Sequence, residues 1–245
     1  MKKISYIAIV GLFLAGSAST GFSKTQVDGT VTNKADIKEA LNLSIGDASK
    51  ARMGSIALKD TTIGKTGVVT NTADVQEALN ISIGKNSVAN MASIDIQGGK
   101  IDGKVTNKAD IKEALNISIG DASRANMGSI SMKDTNIGKT GVVTNTANIK
   151  EALNISIGKG SVANMGSIDM QGGQIDGKMT NKANVKEALN ISIGDNSTAN
   201  MASITSKNSV IGKTGVVTNT ADIKEALNIS IGKNSTSSMG SIELE

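Results

Sequence analysis

The sequence predicts an all-β protein, a parallel β-solenoid of six stacked repeats of 36–38 residues, and three observations predict it. A closely similar unit recurs six times; each unit holds a run in which apolar and polar residues alternate; and the charge at one position changes sign from unit to unit. The same residues allow one alternative, a solenoid whose repeats each combine a short helix with strands.

The chain begins with a segment that reads as an export signal. Lys2 and Lys3 are followed by a mostly apolar run over residues 4–15 and then by small residues, so residues 1–23 are expected to be a secretion signal cut after Ala18 or Ser23. About 12 apolar residues fall short of the ~20 that span a bilayer, so no stable membrane insertion is expected after cleavage. Two of the four net positive charges belong to this leader. With neither a run of Lys and Arg nor an aromatic stacking platform, nucleic acid is not an expected partner. Residues 24–30 form a short lead-in.

The array occupies residues 31–245. The string EALN occurs six times, with its alanine at Ala40, Ala78, Ala114, Ala152, Ala188 and Ala226, which divides the array into 31–68, 69–104, 105–142, 143–178, 179–216 and 217–245. Odd units end in K-T-G-V, and the second and fourth in I-D-G-K, so the working unit is a pair of 74 residues, the sixth unit being truncated. Fixed self-similarity at this period is the signature of repeat architectures.

Within a unit, LNISIG (Leu115 to Gly120) sets Leu115, Ile117 and Ile119 on one side and Asn116 and Ser118 on the other, a strand closing on a glycine turn. ANMGSISM (Ala125 to Met132) is a second strand candidate, with a further apolar point at Ile137. The preceding TNKADIKEALN is the helix candidate, because Ile111, Ala114 and Leu115 fall at i, i+3 and i+4 behind Asn107 as a cap.

Stacking favours strands. In a parallel solenoid, equivalent residues lie about 4.8 Å apart, and an asparagine column can donate to one neighbour and accept from the other. Asn42, Asn80, Asn116, Asn154, Asn190 and Asn228 make one such column; Asn33, Asn71, Asn107, Asn145, Asn181 and Asn219 make a second. Glycine recurs at the bend, at Gly46, Gly84, Gly120, Gly158, Gly194 and Gly232. The next residue reads Asp47, Lys85, Asp121, Lys159, Asp195, Lys233, so each stacked charge meets the opposite sign. Lys34, Lys108 and Lys182 are likewise separated by Thr72, Thr146 and Thr220. In the column of Asn90, Asn126, Asn164 and Asn200, the outer repeats carry Arg52 and Ser238, which read as end caps.

About 37 residues give roughly 120 Å of extended chain per repeat. That is too long for a simple round coil, so each layer must fold back on itself or divide into two coils of 18–19 residues. A faint likeness between Val69–Val75 and Val88–Ile94 favours the second arrangement.

The pattern N-x-A-x4-A-L-N-I-S-I-G, as in Asn145 to Gly158, resembles the repeat core of Fap-type functional-amyloid fibre subunits, and more distantly that of curli subunits. The resemblance spans residues 31–245 and implies an exported fibre of the biofilm matrix. The partners it implies are further copies of the same chain, a minor nucleating subunit and an export apparatus. The chain departs from the family pattern in lacking C-x-x-C and in its few glutamines. I-S-I-G-x-x-S-x-A (Ile81–Ala89) also resembles the head repeats of trimeric autotransporter adhesins.

Catalysis has little to work with. The chain has no Cys, His, Pro or Trp, and its three aromatics, Tyr6, Phe13 and Phe22, all lie in the leader. Imidazole bases, thiolate nucleophiles and the Cys and His ligands of common soft-metal sites are therefore absent. I-G-K-T at Ile63–Thr66 lacks the upstream glycine of a phosphate loop, having Lys59 there. G-G-K-I-D-G at Gly98–Gly103 places its aspartate one residue early for a calcium repeat. No enzyme activity and no cofactor are expected. The expected function is a secreted, extracellular or cell-surface subunit that stacks head to tail. The alternative is a monomeric solenoid that binds as an adhesin or an ice-binding surface.

Overall fold

The computed structural model describes residues 25–244, and the expected secretion signal lies outside them. The described elements are all strands, paired in parallel, in a solenoid of six coils. The third coil runs through Lys104–Ile119, Arg124–Met127, Ile130–Lys133 and Asn136–Ile137 before the fourth begins at Val142. Strands of equal rank form three sheets. The long sheet contains Lys104–Ile119, the narrow sheet Arg124–Met127, and the third sheet Ile130–Lys133 with Asn136–Ile137. Register follows the repeat, so that Asn71 faces Asn107 and Asn107 faces Asn145. TNKADIKEALN lies inside Lys104–Ile119, so the helix-plus-strand alternative is not adopted.

Each repeat is one coil folded back on itself, and the division into two coils of 18–19 residues does not occur. The long sheet forms one wall; the narrow and third sheets together form the other. Val69–Val75 and Val88–Ile94, the segments of the faint half-repeat, lie on different sheets of the same coil. The extra perimeter is absorbed because the walls lie close together and small side chains fill much of the gap.

The long strand changes phase in its middle. Val105, Asn107, Ala109 and Ile111 point inward, Lys112 and Glu113 are both exposed, and Ala114, Asn116 and Ser118 then point inward. In the last three coils the strand breaks outright at this point, between Val142–Ile149 and Ala152–Ile157 for example. The opposite wall turns at Gly128–Ser129, which divides ANMGSISM into two strands. A Cβ on Gly128, whose φ is +59°, would sit 3.3 Å from the Ala147 Cβ and 3.4 Å from that of Ala109. Glycine keeps the two walls close there.

The interior therefore has three zones. Ile94, Ile101, Val105 and their stacked equivalents fill the space between the third sheet and the first half of the long sheet. Met91, Met127, Ala109 and Ile111 fill the middle. Between the narrow sheet and the second half of the long sheet the filling is Ser and Asn with small alanines such as Ala89, Ala114 and Ala125. With no aromatic side chains, the core relies on aliphatic rows, each buried Ile, Val or Met stabilising by roughly 1.5–3 kcal/mol.

The alternation of 38 and 36 residues has a local cause. Odd coils enter the next through Ile63–Val68, closed by the Gly67 amide donating to Gly64 O at 2.9 Å; even coils use the two-residue-shorter Ile101–Lys104. The short turn nests on the long one: the Asp102 and Gly103 amides both donate to Ile63 O, and Thr140 Oγ1 of the next long turn donates to Asp102 O.

Candidate assembly interfaces

The asparagine columns become hydrogen-bonded ladders because parallel register brings identical amides to one spacing. In the first, Asn42 Nδ2 donates to Asn80 Oδ1 at 2.9 Å, and each later Nδ2 to the next Oδ1 at 2.8 Å as far as Asn228. The second runs in the same sense from Asn33 to Asn219, at 2.7–2.9 Å. Both ladders sit in the interior, where the first also ties the walls together: Asn116 Nδ2 reaches Ala89 O and Asn126 O, each at 3.2 Å. Serines add a second cross-tie, Ser87 Oγ lying 2.8 Å from Ser118 Oγ.

Both ladders are polar along the axis. Each Oδ1 from the second coil onward accepts from the coil before it. Among the described residues, no coil precedes the first to donate to the Oδ1 atoms of Asn33 and Asn42. Amide donors are presented at the last coil, where Asn228 Nδ2 turns to Ala199 O and Ser238 O.

The bend glycines stack so tightly that a Cβ on Gly84 would lie 1.9 Å from Gly46 O, and one on Gly120 1.9 Å from Gly84 O. Beside them the charged column is stacked in the order Asp47, Lys85, Asp121, Lys159, Asp195, Lys233. Contact is made through the backbone: Asp47 Oδ1 accepts from the Lys85 amide at 3.4 Å, Asp121 from Lys159 at 3.4 Å, and Asp195 from Lys233 at 3.1 Å. The carboxylate thus anchors the next turn rather than pairing with its ammonium group.

Arg52 and Ser238 interrupt an outward-facing ladder. Asn200 donates to Asn164, Asn164 to Asn126 and Asn126 to Asn90, at 2.9–3.0 Å. Where the ladder stops, Asn90 Nδ2 beside Arg52 and Asn200 Oδ1 beside Ser238 are buried without partners among the described residues. Ser238 Oγ donates to Glu243 Oε1, whereas Glu243 Oε2 is buried and has no partner among the described residues.

The end coils leave the third sheet half finished in complementary ways. Thr25–Val27 pairs with Thr61–Ile63 and, among the described residues, leaves the edge of Ile56–Lys59 open. At the other end Ile242–Leu244 pairs with Ile204–Ser206 and, among the described residues, leaves Ser209–Ile211 open. In the register of the second coil, Ile242–Leu244 stands at Ile94–Ile96 and Thr25–Val27 at Gly99–Ile101. The two segments are the two halves of one strand.

One feature was missed from the sequence. The outer faces of the narrow and third sheets meet at a re-entrant angle and form a polar groove lined by Arg124, Asp169, Gln171, Thr198 and Lys207. Arg124 donates to Gln171 Oε1 at 3.0 Å and to Ser131 Oγ at 3.3 Å. Burial pushes the carboxyls of Asp169 and Asp95 above the ordinary carboxylate range, and the Arg124 charge opposes the shift. Position-by-position reading cannot find this groove, because its residues point outward and are buried only where the two sheets converge.

No protein-family model matches the chain, and no curated protein matches it.

Proposed function

We propose that the protein is a secreted structural subunit that stacks head to tail into an extracellular β-solenoid fibre of the functional-amyloid kind, serving as matrix or surface coat. The observation that carries this reading is the fit between the end coils: Thr25–Val27 of one copy and Ile242–Leu244 of the next are the two halves of one third-sheet strand. The ladders add direction, with acceptors facing one way and donors the other. A contact between unlike ends is heterologous and continues without closing. Open parallel edges invite it, since unpaired backbone groups template another strand. The resemblance to Fap-type repeats points to the same role.

Gly29 provides the test. A Cβ there meets nothing within 4 Å and its backbone needs no left-handed conformation, yet on the equivalent Gly103 it would lie 2.2 Å from Gly67 O and 2.3 Å from Gly64 O. In the fibre, Gly29 of one copy sits on the turn Gly212–Gly215 of its neighbour. Gly29→Ala is expected to leave the soluble protein folded by circular dichroism while stopping seeded filament growth. Filaments growing at the wild-type rate would refute head-to-tail stacking in this register.

The groove supports a second reading, a monomeric adhesin that binds a polar ligand along Arg124, Asp169 and Gln171. Protein that stays monomeric at high concentration, and binds a surface through Arg124, would favour it.

A further inference from the structure

The second half of the long sheet presents the wrong side to solvent. Because the phase changes at Lys112–Glu113, Ala114, Asn116 and Ser118 point inward and Leu115, Ile117 and Ile119 point out. All six coils place Leu, then Leu or Ile, then Ile at these outward positions. In the inner coils they are half-buried by their neighbours within the sheet; at the first coil Leu41 is 68% and Ile45 70% exposed. Nothing among the described residues covers this face. The strands therefore spend their largest aliphatic side chains on the outside while hydrogen-bonded amides and hydroxyls occupy the interior.

We infer that this face is a lateral interface with a second copy of the chain, in which two solenoids pack their Leu and Ile rows together as a dry sheet-on-sheet seam. Three outward positions and six coils give a footprint of roughly 20 by 29 Å, about 600 Å2. That is at the upper limit of apolar patches on ordinary monomers, about 300–600 Å2. It falls just short of the ~800 Å2 per partner of a stable interface. Two subunits stacked end to end present about twice the area and pass that threshold, so the inference rests on the fibre reading for its strength. The occupant follows from the geometry. The face is a flat array of aliphatic rows repeating every ~4.8 Å, and a facing array of the same period interdigitates with it along its whole length. At the border of this face a shallow groove lined by Leu153, Leu189 and Leu227 on one side and by Glu151, Glu187 and Glu225 on the other offers holes for facing side chains and sets a polar rim to the seam.

The test substitutes Ile117→Thr and Ile155→Thr together. Both side chains point outward, so the core is untouched, and threonine keeps the strand preference of a β-branched residue. Mass per length is read by scanning transmission electron microscopy, with seeded growth followed in parallel. One solenoid corresponds to about 8 kDa per nm and a pair to about 16, at ~4.8 Å per coil. The expected result is wild-type filaments near the higher value, variant filaments near the lower, and an unchanged elongation rate. Wild-type filaments at the lower value, or variant filaments still at the higher, overturn the inference. So does single-solenoid wild-type protein that binds phosphatidylcholine–phosphatidylglycerol vesicles through this face, which assigns it to lipid instead. If wild-type protein forms no filaments, the fibre reading fails separately. Sedimentation then decides the lateral contact: a wild-type dimer that the double variant loses supports it, and a wild-type monomer overturns it.

Discussion

Replacing one ladder asparagine should cost an amount set by its coil. Asn116→Ala removes donations to Asn154 Oδ1 at 2.8 Å and to Ala89 O and Asn126 O at 3.2 Å, and the acceptance from Asn80 Nδ2 at 2.8 Å. Asn154 Oδ1 loses its ladder donor, and Asn80 Nδ2 keeps only Ala51 O at 3.4 Å. Two buried groups left short, at about 1–3 kcal/mol each, set the expected cost at about 2–6 kcal/mol. Asn42 in the first coil is half-buried and donates to Asn80 and to Arg52 O, with water at hand to replace what is lost. Asn42→Ala should cost about 1 kcal/mol in the soluble protein. In the proposed fibre, Asn42 Oδ1 would accept from Asn228 of the neighbouring copy, and its replacement should then cost as much as an interior one. Urea unfolding followed by circular dichroism measures the soluble pair, and monomer release against urea measures the fibres. Equal costs for the two variants in soluble protein would refute the ladder argument; equal release from Asn42→Ala and wild-type fibres would refute the junction.

Two further outcomes follow from the charges. Burial raises the Asp169 carboxyl above its ordinary value, so the folded state holds a proton more readily than the unfolded chain. Stability should therefore fall as pH rises from about 4 through the raised value, and Asp169→Asn should flatten that slope in urea midpoints measured from pH 4 to 7. In the proposed head-to-tail junction, Arg52 of one copy would lie beside Glu243 of the next, whose Oε2 has no partner among the described residues. Arg52→Glu should slow elongation several-fold at low salt, and adding Glu243→Arg should restore it. No recovery in the double variant would exclude this contact.

Sequence periodicity carries the solenoid a long way and stops at direction. The repeat spacing fixes which residues stack, so the columns of Asn116 and Asp121 are legible without coordinates. The alternation in LNISIG marks a strand but not its inner face. Two successive outward residues, Lys112 and Glu113, invert the phase, and the side that looks like core becomes surface. The cause is the thin zone behind the strand, where Asn116 and Ser118 bridge to the narrow sheet and leave no room for leucine. The single folded-back coil is hidden for a related reason: perimeter alone says nothing of how closely two walls approach. The charge column shows the same limit, since its stacking is legible but the use of a backbone amide as partner is not.

The alternating turns also govern how the gene can change length. A short turn nests on a long one, as Asp102 and Gly103 do on Ile63, and two turns of the same kind in succession lose that fit. Unequal recombination within so uniform an array adds or removes units readily. A lone unit of 36 or 38 residues brings like turns together, whereas a pair of 74 restores the sequence of turns and the order of Asp and Lys beside the bend. Alleles of this gene should therefore differ by whole pairs, lengthening the rod by about 10 Å for each pair gained.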